Sequence, residues 1–302
     1  MRINFSTRSL KERTNLETEF SEDYGIICDV GGKGKGNQDS AFYTEFSLTV
    51  APGSPKSKQF SYKGILAIVC DGVSGSKRGE LGSTFAIRHL SNKIMQHLYL
   101  ENVEITQLHM KIRDFIDETN IGLQNAFQEE IQAGKLPKTT LVGILVIGQW
   151  LWVFNLGDSR AFLIKDEHIN QISKDHIGFG AAHEITEALG KSEINPHIKV
   201  YNWAYENGLD LQNRAYQKNY FMILCSDGLT DKVSSEEIKN IILSPESSVS
   251  LQDKVMKLYD LSMNREIDDN VSIIVVDLAE FFKKLSQIQL IKLAYIQEEN
   301  EI

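Results

Sequence analysis

The sequence predicts an α+β domain of layered sheets with helices on the outside. Two observations carry this. Short apolar runs of strand length are bounded by turn residues through most of the chain, and paired segments of helical periodicity are inserted between them. No internal repeat and no long low-complexity linker interrupts the pattern.

In chain order, residues 1–22 are polar and read as an irregular N-terminal arm. A first strand covers Tyr24 to Val30, a glycine-rich turn runs from Gly31 to Gly36, and a second strand spans Ser40 to Val50. Ala51 to Lys58 holds two prolines, a glycine and serines, the composition of a surface hairpin loop. Gly64 to Cys70 is a continuous apolar strand buried on both faces. Two helices follow, Glu80 to Tyr99 and Ile105 to Ala133. Phe85, Leu90, Ile94 and Leu98 recur at helical spacing in one, Leu108, Ile112, Phe115 and Ile116 in the other. Thr139–Ile147, Leu151–Asn155 and Ala161–Lys165 read as consecutive strands with turns at Gly148-Gln149 and Gly157-Asp158. Phe221–Cys225 is another buried strand, Ser234–Leu243 and Leu251–Asn264 are helical, and Val271–Val276 is a last β-branched strand. Residues 279–302 form a C-terminal segment whose stretch Ala279–Ile296 reads as an amphipathic helix, with Phe282, Leu285, Leu293 and Ile296 among its apolar positions.

Composition narrows the function classes. At 302 residues the chain can bury the core of one large domain. Its 41 acidic against 32 basic residues give a net charge of -9, which argues against a nucleic-acid binder, since that needs a basic face. Acidity does not exclude a phosphorylated substrate, because bound metal ions supply local positive charge. The three cysteines, Cys28, Cys70 and Cys225, have no CxxC spacing. They fit a reducing compartment and small buried side chains better than disulfides or zinc. The opening MRINFSTRSL lacks the apolar stretch of a signal peptide, and no run approaches the ~18–20 apolar residues of a membrane span. A cytoplasmic location without membrane contact is the expectation.

Aspartates mark the places where apolar strands meet loops. They are Asp39 in Asn37-Gln38-Asp39-Ser40, Asp71 in Asp71-Gly72-Val73-Ser74-Gly75, Asp227 in Ser226-Asp227-Gly228, Asp269 in Asp269-Asn270, and Asp158 in Gly157-Asp158-Ser159-Arg160. Any single one is explained as a turn residue. Carboxylates clustered in space, however, need a cation to suppress their repulsion. Oxygen-only ligands select magnesium, manganese or calcium over zinc, and two such ions about 3.5–4 Å apart can act together on a phosphoryl group. From the residues alone this is a candidate hard-metal site. The Gly31–Gly36 run is no nucleotide cradle, because Gly36 is followed by Asn37 and a strand pattern in place of a helix.

The ordered motifs resemble the metal-dependent protein phosphatases, the PPM or type 2C family, in its bacterial form. The segments that carry the likeness are Gly36-Asn37-Gln38-Asp39-Ser40, Val69-Cys70-Asp71-Gly72-Val73-Ser74-Gly75, Thr139-Thr140-Leu141 and Asn155-Leu156-Gly157-Asp158-Ser159-Arg160-Ala161. They continue with Lys174-Asp175-His176, Ile185-Thr186-Glu187-Ala188-Leu189-Gly190, Leu224-Cys225-Ser226-Asp227-Gly228-Leu229-Thr230-Asp231 and Asp269-Asn270-Val271-Ser272.

The resemblance implies a four-layer α-β-β-α sandwich of two antiparallel sheets flanked by helix pairs, over residues 23–278, with a variable flap at about 177–220. It implies hydrolysis of phosphoserine and phosphothreonine in proteins by a water activated between two Mn2+ or Mg2+ ions, opposing a cognate Ser/Thr kinase. Asp39, Asp71 and the Gly72 carbonyl would hold the metals together with Asp227 and Asp269, Asp71 bridging. Asp158 matches the aspartate that some members use for a third ion.

Two departures stand out. Gln38 occupies a position often held by glutamate, and Gly34 one often held by a phosphate-clamping arginine. Lys35, beside Gly34, is then the candidate substrate contact, as a point charge without the arginine fork. Val73 follows Asp71-Gly72 where some members carry a histidine suited to general-acid work. A pseudophosphatase acting as a regulatory binding module is the alternative, and a calcium-stabilised structural protein is a more distant one. Asp175-His176 and Arg160 are expected to anchor structure, His183 and His197 to lie on the surface, and Tyr201, Trp203 and Tyr205 to pack.

Overall fold

The computed structural model describes residues 23–32, 36–50, 60–73, 78–100, 105–132, 136–178, 184–202, 219–245 and 249–283. The N-terminal arm, the hairpin loop at 51–58, Lys35 with its neighbours Lys33 and Gly34, His183, Trp203 and Tyr205, and the tail beyond Lys283 lie outside them.

Ten strands form two antiparallel five-stranded sheets among the described residues. The first sheet has the order β1-β10-β9-β6-β7, built from β1 (Tyr24–Asp29), β10 (Val271–Asp277), β9 (Tyr220–Cys225), β6 (Arg160–Lys165) and β7 (His168–Gln171). The second has the order β2-β3-β4-β5-β8, built from β2 (Ser40–Val50), β3 (Phe60–Cys70), β4 (Leu141–Ile147), β5 (Trp150–Leu156) and β8 (His197–Asn202). The helices are α1 (Gly79–Leu100), α2 (Leu108–Ala126), α3 (Gln128–Gln132), α4 (Asp227–Thr230), α5 (Ser235–Ile242), α6 (Leu251–Asn264) and α7 (Leu278–Lys283).

Strand alternation divides the apolar residues among three cores. On β3 the odd positions Ile65, Ala67 and Val69 face the other sheet, where Met222, Leu224, Ile274 and Val276 meet them. The even positions Leu66, Ile68 and Cys70 pack with Leu90 and Ile94 of α1 and Ile112 and Ile116 of α2. On the far side, Ile223, Ile273 and Val275 pack with Ile238 and Ile242 of α5 and Val255 and Leu258 of α6. The layers are therefore helix pair, sheet, sheet, helix pair, as the resemblance implied.

Several elements differ from the sequence reading. β3 begins at Phe60, four residues early, because Phe60–Lys63 pairs with β2 as a two-stranded ribbon beyond the reach of β4. The apolar run starts only where β4 flanks the strand. The long second helix is broken: a 3-10 turn at Ile105–Gln107 precedes α2, and Phe127 leaves the helical region at φ -123°, ψ 39°. There its ring packs edge-on against Phe85, so a tertiary contact overrides the periodicity. β7 and β8 have no counterpart in the sequence reading, and β8 lies within the stretch read as a flap. Both are edge strands that are largely solvent-facing, so they lack the apolar signal of the inner strands. His197, expected on the surface, is half-buried on β8 beside Asn155 of β5.

Candidate metal centre

Topology brings four of the aspartates to one end of the sandwich. Asp39 directly precedes β2 and Asp71 directly follows β3. Because Ser40 and Cys70 are paired across that antiparallel ladder, the two carboxylates sit side by side. In the other sheet Asp227 follows β9 by two residues and Asp269 precedes β10 by two, at the same end of the antiparallel β9–β10 ladder. Each sheet thus supplies two carboxylates, and the core between the sheets ends beneath them.

Local hydrogen bonds hold the ligand-bearing segments. The Asp71 amide donates to Thr140 Oγ1 at 3.0 Å, and the Asp71 carbonyl accepts from the Thr140 amide and the Thr139 hydroxyl, both at 2.8 Å. Thr140 Oγ1 lies 2.7 Å from the Ser159 hydroxyl, which ties this segment to Asp158. Gly72 is glycine for a steric reason: a Cβ there would stand 2.5 Å from the Gly79 backbone at the start of α1. Gly31 is glycine twice over, with φ +61° and space for a Cβ closed by the Asp269 carbonyl at 1.9 Å. The Gly32 amide donates to that same carbonyl at 3.1 Å. The Ser226 amide donates to the Ser272 carbonyl at 3.1 Å, and the Ser272 amide donates to Ser226 Oγ at 3.0 Å, fixing the approach to Asp227.

The electrostatics are those of crowded, buried acids. Burial is the main cause that pushes Asp39 up to about 6, with the Asp269 charge adding to it and the nearby Ser226 and Ser272 hydroxyls opposing it. Asp71 lies well above the ordinary carboxylate range, through burial first and then the charges of Asp39 and Asp227. Asp227 is raised to about 7 by burial first and then by the Asp158 charge, with the neighbouring Asp71 side chain opposing the rise. Asp158 is raised as well, by burial first.

Among the described residues no three His, Cys, Asp or Glu side chains are arranged as a ready-made cage for a metal ion. The fit to a cation rests instead on unmet demand. Both carboxylate oxygens of Asp39, Oδ1 of Asp227 and Oδ1 of Asp158 are buried with no hydrogen-bond partner. Such groups are rare and costly unless something neutralises them. An all-oxygen donor set of this charge matches a hard divalent cation.

The structure therefore brings Asp39, Asp71, Gly72, Asp227 and Asp269 together and places Asp158 on the Asp227 side. Arg160 is committed to Asp175 through a fork of 3.0 and 2.7 Å, and His176 Nδ1 accepts from the Gly157 amide at 3.1 Å. Both shape the loop beside Asp158, as expected of anchors. Sequence reasoning assigned no role to Thr139, Thr140, Ser226, Ser272 or Asn270, although all five lie in motifs it singled out.

Comparison with known proteins gives the site its context. The family model described as protein phosphatase 2C matches residues 56–265. The serine/threonine phosphatase stp of Listeria welshimeri is 26% identical over 220 residues, covering 70% of this chain and 84% of that protein. The serine/threonine protein phosphatase PstP of Mycobacterium tuberculosis is 26% identical over 238 residues, covering 72% of this chain and 41% of that protein. Among solved structures, a bacterial serine phosphatase superposes with a TM-score of 0.63 at 24% identity, covering 84% of this chain and 96% of the other. The catalytic domain of PstP in complex with two manganese ions superposes with a TM-score of 0.61 at 23% identity, with the same coverage.

Proposed function

The chain belongs to the protein phosphatase 2C family, and from that premise we propose that it is a metal-dependent phosphatase of phosphoserine and phosphothreonine in proteins, acting against a Ser/Thr kinase. The observation that carries this reading is that four aspartates, two from each sheet, converge at one end of the sandwich, where both carboxylate oxygens of Asp39 and Oδ1 of Asp227 are buried without hydrogen-bond partners. Serine/threonine phosphatases are the relatives that resemble the chain across most of its length. No helix among the described residues is long and apolar enough to cross a membrane.

Asp39, Asp71, Asp227 and Asp269, with the Gly72 carbonyl, would hold two Mn2+ or Mg2+ ions, and Asp158 would hold a third. When bound, such ions polarise phosphoryl oxygens and lower the pKa of water. The chain contributes the rest. The charges of both Asp39 and Asp227 act on Asp71, which supports it as the ligand the two ions would share. Thr139 and Thr140 fix the Asp71 backbone, and Gly72 lets α1 start close behind it.

Water is the nucleophile in this reading. All three thiols are pushed above the ordinary range by burial, Cys225 to about 12, which leaves them protonated and unsuited to attack. Water adds its oxygen to phosphorus, the bond to the serine or threonine oxygen breaks, and that oxygen takes a proton. With Val73 after Gly72, the proton comes from solvent. Lys35 is the candidate substrate contact, a point charge in place of the arginine fork.

Phosphate release from a phosphothreonine peptide and from p-nitrophenyl phosphate tests the reading, with manganese, magnesium, calcium or EDTA and with an Asp227→Asn control. Turnover with manganese that disappears with EDTA and in the variant is the expected result. Folded protein that is silent with every metal would overturn the enzyme and favour a regulatory binding module.

A further inference from the structure

Asn270 follows Asp269 and is 2% exposed. Its Oδ1 accepts the Gln38 amide at 2.8 Å, and its Nδ2 donates to the Val30 carbonyl at 2.6 Å. Val30 follows β1 and Gln38 precedes β2, so one side-chain amide closes both stems of the glycine-rich turn. Gln38 is held on its other side too, where its carbonyl accepts from the Gly72 amide at 3.1 Å and the Ser83 hydroxyl at 2.6 Å. Three ligand-bearing segments therefore meet at one residue. Asp269-Asn270 is bonded to its N–H, Asp71-Gly72 to its C=O, and Asp39 comes next in the chain.

The bond from Asn270 to Gln38 also crosses the sandwich. Asn270 leads into β10 of the first sheet, and Gln38 leads into β2 of the second. The two carboxylate pairs come one from each sheet, so their separation depends on how the sheets are fixed at this end. A carboxamide suits the task because it offers a donor group and an acceptor group in a single plane. An apolar replacement would leave both main-chain groups unmet.

We propose that Asn270 is a positioning residue of the metal centre. By clasping the Gln38 peptide it sets Asp269 of one sheet against Asp39 and Asp71 of the other, and it touches neither metal nor substrate. The inference rests on the metal-dependent reading above. It also explains how the position can carry Gln38: the contacts that join the segments come from the main chain, so the scaffold is indifferent to the loss of a glutamate charge.

The test compares EDTA-stripped native protein with Asn270→Ala, Ser83→Ala and Leu258→Ala. Leu258 is fully buried in the core under α5 and α6 and serves as a control for lost stability alone. Manganese binding is followed at fixed temperature by loss of the EPR signal of the free ion, and kcat and KM are measured at saturating manganese. Loss of a partner outside the ligand shell typically weakens metal binding by about 10–100-fold. That weakening is expected for Asn270→Ala, with a smaller loss in the same direction for Ser83→Ala, while Leu258→Ala lowers Tm and binds manganese normally. If Asn270→Ala does not fold, Ser83→Ala decides alone. Manganese binding in the folded Asn270 and Ser83 variants equal to native, or weakened as much in Leu258→Ala, would overturn the inference while leaving the phosphatase reading intact. Native protein that takes up no manganese would remove both.

Discussion

Asp39 and Asp227 give the metal-free protein a pH dependence with a definite sign. Their carboxyls stand at about 6 and about 7, above the ordinary value of 3.8. Protonation is therefore favoured by the fold, and the stability it brings is fully present below that ordinary value and lost as pH rises through 6 to 7. EDTA-treated protein should accordingly melt higher at pH 5 than at pH 8. A cation requires the ionised forms, so the gap in Tm between manganese-loaded and EDTA-treated protein should widen from pH 5 to pH 8. Thermal melts across that range check both trends. Gly31→Ala is a second residue-level prediction. The left-handed φ alone costs about 1–2 kcal/mol with a side chain, and the new Cβ would press on the Asp269 carbonyl. Lower Tm together with weaker manganese binding is expected, measured in the same melts and by titration.

The aspartates were legible in the sequence because aspartate is out of place at the end of an apolar strand. The polar residues that hold them were not. Thr140 reaches Asp71 from 69 positions away and Asn270 reaches Gln38 from 232, distances at which only the folded topology brings partners together.

At the scale of elements, inner strands, capped helices and the edge strands β1 and β2 read clearly, while the edge strands β7 and β8 did not. β4 is buried at every position, and such a run has no competing explanation. α6 was found with the bounds it has, Leu251–Asn264, and it starts with a reciprocal capping box between Ser250 and Asp253. Ser250→Ala should lower stability by about 1 kcal/mol. It should leave turnover unchanged, since the cap lies beside Gly25 at the start of β1 while the far part of α6 reaches Asp29 through Tyr259. Denaturant unfolding and a phosphatase assay check the two halves of that statement. β7 and β8 escaped because an edge strand buries little and tolerates His, Lys, Asn and Gln on its open side. The break at Phe127 escaped because the ring finds Phe85 by leaving the helix, a gain that periodicity does not register.

For the molecule as a whole, three apolar layers stack between four structural ones, and the carboxylates sit where the middle layer ends. The described start of the C-terminal segment belongs to that middle layer. Phe281 and Phe282 of α7 pack into the core between the sheets, with Tyr220 of β9 against Phe282. Phe282 is 1% exposed, so Phe282→Ala should destabilise the fold by about 3–5 kcal/mol. Because β10 runs from Asp269 at the metal end to α7 at the other, manganese affinity should be unaffected in the variant that remains folded. The layered architecture was legible because strand-length apolar runs and helix pairs follow one another along the chain. How the two sheets are fixed at the metal end was not legible, since it depends on contacts between their opposing ends.

The most direct test is a calorimetric titration of manganese into EDTA-stripped protein, native and Asp71→Asn, at pH 6 and pH 8 in buffers of different ionisation heat. Two ions per chain are expected, with more protons released on binding at pH 6 than at pH 8 and with loss of the paired binding in the variant. Native protein that takes up no manganese, or Asp71→Asn that binds it as the native protein does, would contradict a metal centre built from carboxylates of both sheets.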